Sequence, residues 1–305
     1  LAADLIISPF TDDLGEPAAN AGRRPRVDFA AYAERIGFQG KATSTFATLA
    51  GLHLAHATTV PFENADILLG RGISLDLAHL ERKIVAQRRG GYCFEQNTLF
   101  AAVLEDLGFG VTGLAARVRP PGRVGMLGRT HMTLRVVPSD SGGVAYLADV
   151  GFGRGGLLLP VPIEPAGPVE QFGRVCEIVP GSPERELRLT EHGVTTVLYG
   201  FTTEPFFLAD YQVANHHTST SPNSVFAREL VLGRQRVDGR VSLRGGRLTE
   251  ERDGVSTELS LSSAAELGAA LAERFALVLP EADVARLWSV VESARDGRAR
   301  AADRL

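Results

Sequence analysis

Cys93 is the side chain in this sequence best placed for covalent chemistry, in the run Arg88-Arg-Gly-Gly-Tyr-Cys-Phe-Glu-Gln-Asn97. A glycine pair closes one helical pattern there, and the cysteine opens the next. The unpaired N–H groups and positive dipole end of a helix start stabilise a thiolate. The same N–H groups can hold the oxyanion of a tetrahedral acyl intermediate. Gly90 and Gly91 are read as allowing a tight turn and leaving space for a substrate beside the sulfur. A thiol nucleophile needs a base, and His131 opens the strand-like run Thr130-His-Met-Thr-Leu-Arg-Val136. The imidazole in turn needs an orienting group, and Asp149, ending Tyr146-Leu-Ala-Asp149, can reach it from a neighbouring strand. Taken singly, each has a plainer reading: a buried filler cysteine, a satisfied core histidine, a turn aspartate. Together they become persuasive as a nucleophile with its base and orienting acid.

These three residues require a helix to present the sulfur and a sheet to present its partners, a logic shared by papain-like and transglutaminase-like folds. The apolar spacing supplies both. Phe29, Tyr32 and Ile36 fall at helical intervals, and helical patterns follow over 45–57, 75–88 and 94–107, so 27–110 reads as a helical bundle. From 111 to 214 the texture is short, β-branched and interrupted by Gly, Pro and Ser. Six strands are predicted, over 111–118, 131–137, 144–150, 175–179, 186–190 and 194–201, forming a closed or nearly closed barrel. The remainder, 215–305, reads as a meander over 228–261 followed by two helices. The first is capped at Ser263-Ala-Ala-Glu266, and the second carries Val284, Leu287, Trp288 and Val291 on one face. Residues 1–26 lack apolar periodicity and read as a flexible extension.

The 305 residues, 44% hydrophobic and 22% charged, suit a globular chain of two or three domains. Interspersed charges with a net of -4 disfavour nucleic-acid binding. No apolar run is long enough to span a membrane, and no secretory leader is visible, so a cytoplasmic location is expected. Two cysteines, Cys93 and Cys176, are too few for a disulfide scaffold, and Cys176 reads as an inert strand residue. No metal is expected: His53 and His56 are helically adjacent but lack a third ligand, and His79 and His192 sit in unremarkable contexts. The stretch Gly151-Phe-Gly-Arg-Gly-Gly156 lacks the Lys and Ser/Thr of a phosphate loop.

From about 27 to 291 the sequence resembles the arylamine N-acetyltransferase family. Arg89-Gly-Gly-Tyr-Cys-Phe-Glu-Gln-Asn97 is similar to that family's nucleophile motif, and Pro61-Phe-Glu-Asn64 to its upstream motif. Asp149-Val-Gly-Phe-Gly153 resembles its aspartate motif, and Thr218-Ser-Thr-Ser-Pro-Asn-Ser-Val-Phe226 the segment entering its last domain. The resemblance implies an α+β fold: a papain-like cysteine-enzyme core of helical bundle and β-barrel, with a C-terminal α/β lid. It implies acetyl transfer from acetyl-CoA to arylamines, hydrazines or arylhydroxylamines in two steps through acetyl-Cys93, with His131 as base and acid and Asp149 orienting it. Acetyl-CoA would be a substrate, with no tightly bound cofactor.

By the same resemblance Phe62, Val118, Phe152 and His217 line the acceptor pocket, His217 standing where relatives often carry an aromatic ring. Gly128, Ser219, Thr220 and Ser221 match positions that contact CoA. Glu63 and Arg89 would form a buried pair behind the nucleophile loop. The insertion over 120–129 and the Arg-rich tail from 295 have no counterpart in these motifs. Two rival activities use the same triad: an amide synthase releasing a polyketide from its carrier protein, and a thioester hydrolase delivering the acyl group to water. The sequence leaves open whether the chain forms a homo-oligomer.

Overall fold

The computed structural model describes residues 27–122, 125–153, 155–164 and 167–302. The expected extension over 1–26 lies outside them, as do 123–124 of the insertion, Arg154 of the glycine-rich stretch and the last three residues of the tail.

The chain begins with α1 (Phe29–Ile36), whose capping Asp28 accepts from Ala31 N at 3.0 Å and which stops at Gly37, φ 73°. Next come α2 (Phe46–Thr59), the two-residue strand β1 (Phe62–Glu63) and α3 (Ala65–Leu68). The helix expected over 75–88 is present in an altered form: α4 (Leu77–Leu80) widens into a π-helix, Glu81–Ala86, that turns Lys83 into the interior. Then α5 (Cys93–Asp106) runs through the core, with Phe94, Leu99, Phe100, Val103 and Leu104 buried.

The barrel strands are β2 (Gly110–Val118), β3 (His131–Val137), β4 (Tyr146–Ala148), β5 (Val161–Pro162), β6 (Val169–Gln171), β7 (Arg174–Val179), β8 (Arg185–Glu191) and β9 (Val194–Phe201). They form one sheet in the order β5-β4-β3-β2-β9-β8-β7-β6, all neighbours antiparallel. Its two end strands do not pair, so the barrel is nearly closed, and the Gln171 side chain spans the gap. Its Oε1 accepts from Leu158 N and Leu159 N at 3.0 Å, and its Nε2 donates to Leu159 O at 2.8 Å. The two short strands β5 and β6 went unread in the sequence because each carries only two or three residues between prolines and glycines.

Side-chain alternation along β3 joins the two units. Met132, Leu134 and Val136 pack in the helical core with α5, while His131 and Thr133 face the opposite side with Tyr199. The barrel interior is filled by Leu114, Ala116, Leu147, Leu187, Leu189 and Phe201 among others.

A further helix, α6 (Leu208–Thr220), precedes β10 (Val231–Arg236), β11 (Gly239–Arg244), β12 (Arg247–Arg252) and β13 (Val255–Ser260). The expected meander gains a fifth strand, since β1 pairs with β10 through Phe62↔Gly233 and Glu63↔Leu232. The helices α7 (Ala264–Phe275) and α8 (Glu281–Ala302) cover this sheet, with Ser263 capping Glu266 N at 3.2 Å. Val284, Leu287, Trp288 and Val291 are all buried, as their spacing predicted. Among the described residues no helix is long and apolar enough to cross a membrane, and no cluster of three or more His, Cys, Asp or Glu is placed to hold a metal.

Candidate active site

Cys93 is the first residue of α5, His131 the first of β3, and Asp149 follows the last residue of β4. The three are buried together. His131 Nε2 lies 2.6 Å from Asp149 Oδ2, which leaves Nδ1 as the ring nitrogen for the Cys93 sulfur, whose nearness favours charge on the imidazole. Cys93 Sγ also lies 3.9 Å from Thr130 O, at the entry to the same strand. Burial disfavours charge on His131, but the Asp149 carboxylate, its hydrogen bond and the Cys93 sulfur together raise the imidazole to about 10. Burial would raise Asp149, yet His131, Asn97 and Tyr199 hold its carboxyl below the usual carboxylate range.

The carboxylate is held from several sides by residues that the sequence did not single out. Asp149 Oδ1 accepts from Asn97 Nδ2 at 3.0 Å and from Gly151 N at 3.1 Å. Asn97 stands one helical turn beyond Cys93, so the helix that carries the nucleophile also orients the acid. Its Oδ1 accepts from Val150 N at 3.1 Å, and its Nδ2 also donates to Met132 O at 2.7 Å. Tyr199 of β9, whose hydroxyl lies 3.4 Å from Thr133 Oγ1, helps to lower the Asp149 carboxyl, and its ring lies tilted against His131 with centroids 5.0 Å apart. Beneath the site, His53 Nε2 accepts from Asp149 N at 3.0 Å, so its Nδ1–H donates to Leu158 O at 3.0 Å. Burial lowers His53 to about 4 and His56 to about 3, and both are neutral. The two helical histidines considered as metal ligands are therefore structural. His56 accepts from Tyr32 Oη at 2.7 Å and donates to Gln96 Oε1 at 3.2 Å, and Gln96 Nε2 donates to Gly91 O at 2.7 Å.

Gly90 and Gly91 do not leave space for a substrate, contrary to the sequence reading. A Cβ on Gly90 would sit 2.0 Å from Pro61 O, and one on Gly91 would sit 2.8 Å from Glu95 Oε2. The tight turn is made one residue before the pair's arginine neighbour, at Arg88, φ 53°. The glycines instead let the nucleophile loop press against Pro61 and against the first turn of its own helix. Gly151 serves similarly on the other side: a Cβ there would meet Cys93 Cα at 2.8 Å.

A buried charge network backs this loop. Arg89 Nη2 reaches Glu63 Oε1 at 2.7 Å, the expected pair, and Asp66 Oδ1 at 3.1 Å. Lys83 Nζ reaches Glu95 Oε1 at 2.7 Å and Asp66 Oδ2 at 2.8 Å. Glu95 Oε2 then accepts from Tyr92 N at 3.0 Å, capping the helix at the residue before the nucleophile.

The other predicted residues surround this centre unevenly. Phe152 meets His131 edge-on at 5.2 Å, and Phe62 packs on Phe226 at 5.7 Å and against Gly153. Val118 ends β2 opposite Tyr199. Gly128 is exposed, and its carbonyl accepts from Thr130 N at 3.0 Å. His217, Ser219 and Thr220 lie at the end of α6, with Ser221 capping it. His217 is exposed, and the Ser219 and Thr220 hydroxyls donate to carbonyls of their own helix, at Asn215 and His216. That helix is docked on the nucleophile loop by a Tyr92 Oη hydrogen bond to Asn215 Oδ1. Cys176 is buried in the barrel wall, where burial pushes its thiol up to about 12.

A helix start presenting a thiol to an imidazole fixed by a buried carboxylate can form and discharge an acyl thioester. The profile of a family described as N-acetyltransferase matches residues 45–284. The arylamine N-acetyltransferase of Mycolicibacterium smegmatis is 37% identical over 258 residues, which span 83% of this chain and 93% of that protein. That of Escherichia coli K12 is 35% identical over 264 residues, 82% and 89% of the two chains. The crystal structure of the Nocardia farcinica arylamine N-acetyltransferase superposes with a TM-score of 0.80 at 39% identity, covering 87% of this chain and 95% of that one. The Mycobacterium marinum arylamine N-acetyltransferase in complex with CoA gives 0.81 at 30% identity, covering 86% and 99%.

Proposed function

The chain belongs to the arylamine N-acetyltransferase family, and is thus an acyltransferase enzyme, and we propose that it carries the acetyl group of acetyl-CoA to an arylamine, hydrazine or arylhydroxylamine through acetyl-Cys93. The observation that carries this reading is the buried His131–Asp149 pair, 2.6 Å apart, with Cys93 at a helix start near enough to favour charge on the imidazole. On this reading His131 Nδ1 takes the Cys93 thiol proton, and the sulfur attacks the thioester carbonyl carbon. Main-chain N–H groups of the first turn of α5 hold the oxyanion. Collapse breaks the bond to the CoA sulfur, which leaves with the proton returned by His131. The amine nitrogen then attacks acetyl-Cys93, its proton passes to His131, and the bond to Cys93 breaks to release the amide. Asp149 stabilises the imidazolium in both halves.

The family correspondence extends the proposal to the surroundings. Phe62, Val118, Phe152 and His217 line the acceptor pocket, and Gly128, Ser219, Thr220 and Ser221 contact the CoA portion. The CoA-bound relative supports acetyl-CoA as donor. Residues 27–110 and 111–214 act as a papain-like core and 215–305 as its lid, with the enzyme working in the cytoplasm. Purified protein is mixed with acetyl-CoA and aniline or a simple hydrazine, and free CoA is followed. Release of CoA in proportion to the amine supports the proposal. No turnover points instead to the amide synthase, and CoA release that amine does not divert points to the hydrolase.

A further inference from the structure

We propose that Gln235, a residue of β10 in the C-terminal sheet, is a positioning residue for the acceptor half of the reaction: its buried amide ties down Gly153 and Gly156 so that Phe152 stays seated edge-on against the His131 ring. The inference rests on the reading that an amine attacks acetyl-Cys93 beside Phe152.

Gln235 Nε2 donates to Gly153 O at 3.0 Å and to Gly156 O at 3.1 Å. Its Oε1 accepts from Arg174 Nη1 at 3.1 Å. An arginine can only donate and a carbonyl only accept, so the amide has one orientation. Arg174 is itself fixed, donating to Arg236 O at 3.1 Å and Gly239 O at 3.2 Å and pairing with Glu191 at 3.2 Å. The clamp is therefore anchored in the barrel wall and in the β10–β11 hairpin at once. Among the described residues, no other side chain hydrogen-bonds the Gly153 or Gly156 carbonyl.

Gly153 and Gly156 are themselves closely packed. Gly153 has φ +81°, and a Cβ there would lie 2.8 Å from Phe62 Cγ, while one on Gly156 would lie 2.9 Å from Phe152 Cβ. Phe152 meets His131 at 5.2 Å and Tyr199 at 5.4 Å. The Phe152 ring against His131 thus has its position set by a residue more than 80 positions later in the chain. The triad does not depend on the clamp in this way: the Asp149 carboxylate is held by Asn97 and His131, and its N–H by His53. Releasing the clamp should therefore disturb the ring wall that receives an aromatic amine and spare the sulfur's own activation.

The test is Gln235→Met, of similar length but with no donor, studied in the two half-reactions separately. The expected result is an aniline KM raised about tenfold, with the rate of acetyl-Cys93 formation from acetyl-CoA within about twofold of the unsubstituted protein. The KM for hydrazine, which has no ring to stack, should also stay within about twofold. If Gln235→Met does not fold, Gln235→Asn, which draws the amide back from the loop by one methylene, is measured in the same way. Unchanged aniline KM, or acylation falling in parallel with it, overturns the inference while leaving the acyl-enzyme reading intact. Absence of acetyl-Cys93 in the unsubstituted protein overturns that reading, and the inference with it.

Discussion

At the scale of single residues, the two cysteines should behave as different chemical groups although both are buried. Cys93 opens α5 near an imidazole whose protonated form is favoured by Asp149, whereas burial pushes the Cys176 thiol up to about 12. Iodoacetamide should therefore modify Cys93 first in the folded protein, and His131→Ala should slow that reaction. Equal rates at the two sulfurs, read by peptide mapping, would contradict the assignment. Asp149→Asn keeps a side chain of the same shape but cannot stabilise an imidazolium. It should lower turnover by about ten-thousandfold with the circular dichroism spectrum unchanged, and near-normal turnover would remove Asp149 from the triad. Cys93, His131 and Asp149 were legible in the sequence because each sits at a locally marked place: after a glycine pair, at a strand start, before a glycine-rich turn. Tyr199, His53 and Gln235 were not. Tyr199 and Gln235 meet the site through pairing between distant segments, β2 with β9 and β1 with β10, and His53 through the packing of α2 under Asp149, contacts that no local pattern marks.

At the scale of elements, the start of α5 depends on charges that an apolar core would not supply. Lys83 is inside because the π-helix turns it there, and it neutralises Glu95, which caps the helix at Tyr92 N. Lys83→Met removes one cation from a network of buried carboxylates. It should destabilise the chain by about 3–5 kcal/mol, measured as a lower midpoint of urea unfolding, and an unchanged midpoint would show that the network contributes little. The helical spacing over 75–88 predicted the element but not its wider turn, since the widening follows from partners at 66 and 95 that no local pattern reveals. Helix α6 went unread for a related reason. Its buried face is Tyr211, Asn215 and Thr218, at helical intervals but mostly polar, so no apolar stripe marks it.

At the scale of the whole molecule, buried histidines of opposite character bound the stability from both sides. His53 and His56 are held below 6.5, at about 4 and about 3, by burial. The unfolded chain binds their protons more readily, so their contribution is intact above pH 6.5 and is lost as pH falls toward 3. His131 is raised from 6.5 to about 10, so its contribution is intact below pH 6.5 and is lost as pH rises toward 10. Thermal midpoints should peak near neutrality and fall on both flanks. His131→Asn should remove the alkaline fall while keeping the acid one, and a profile unchanged by that substitution would contradict the imidazole's raised affinity for its proton. The bundle, barrel and meander sequence was readable because the change from helical to strand periodicity after Gly108 is abrupt. The sealing of the barrel by Gln171 and the joining of β1 to the C-terminal sheet were not readable, because both are made by contacts across the chain.

The account stands or falls on the acyl intermediate. The protein is mixed with acetyl-CoA in the absence of amine, quenched, digested and weighed by mass spectrometry. One acetyl group should appear on the peptide containing Cys93, disappear on addition of aniline, and be absent from Cys93→Ala. Turnover of acetyl-CoA and aniline with no acetyl group ever found on Cys93, or with activity retained by Cys93→Ala, would contradict it.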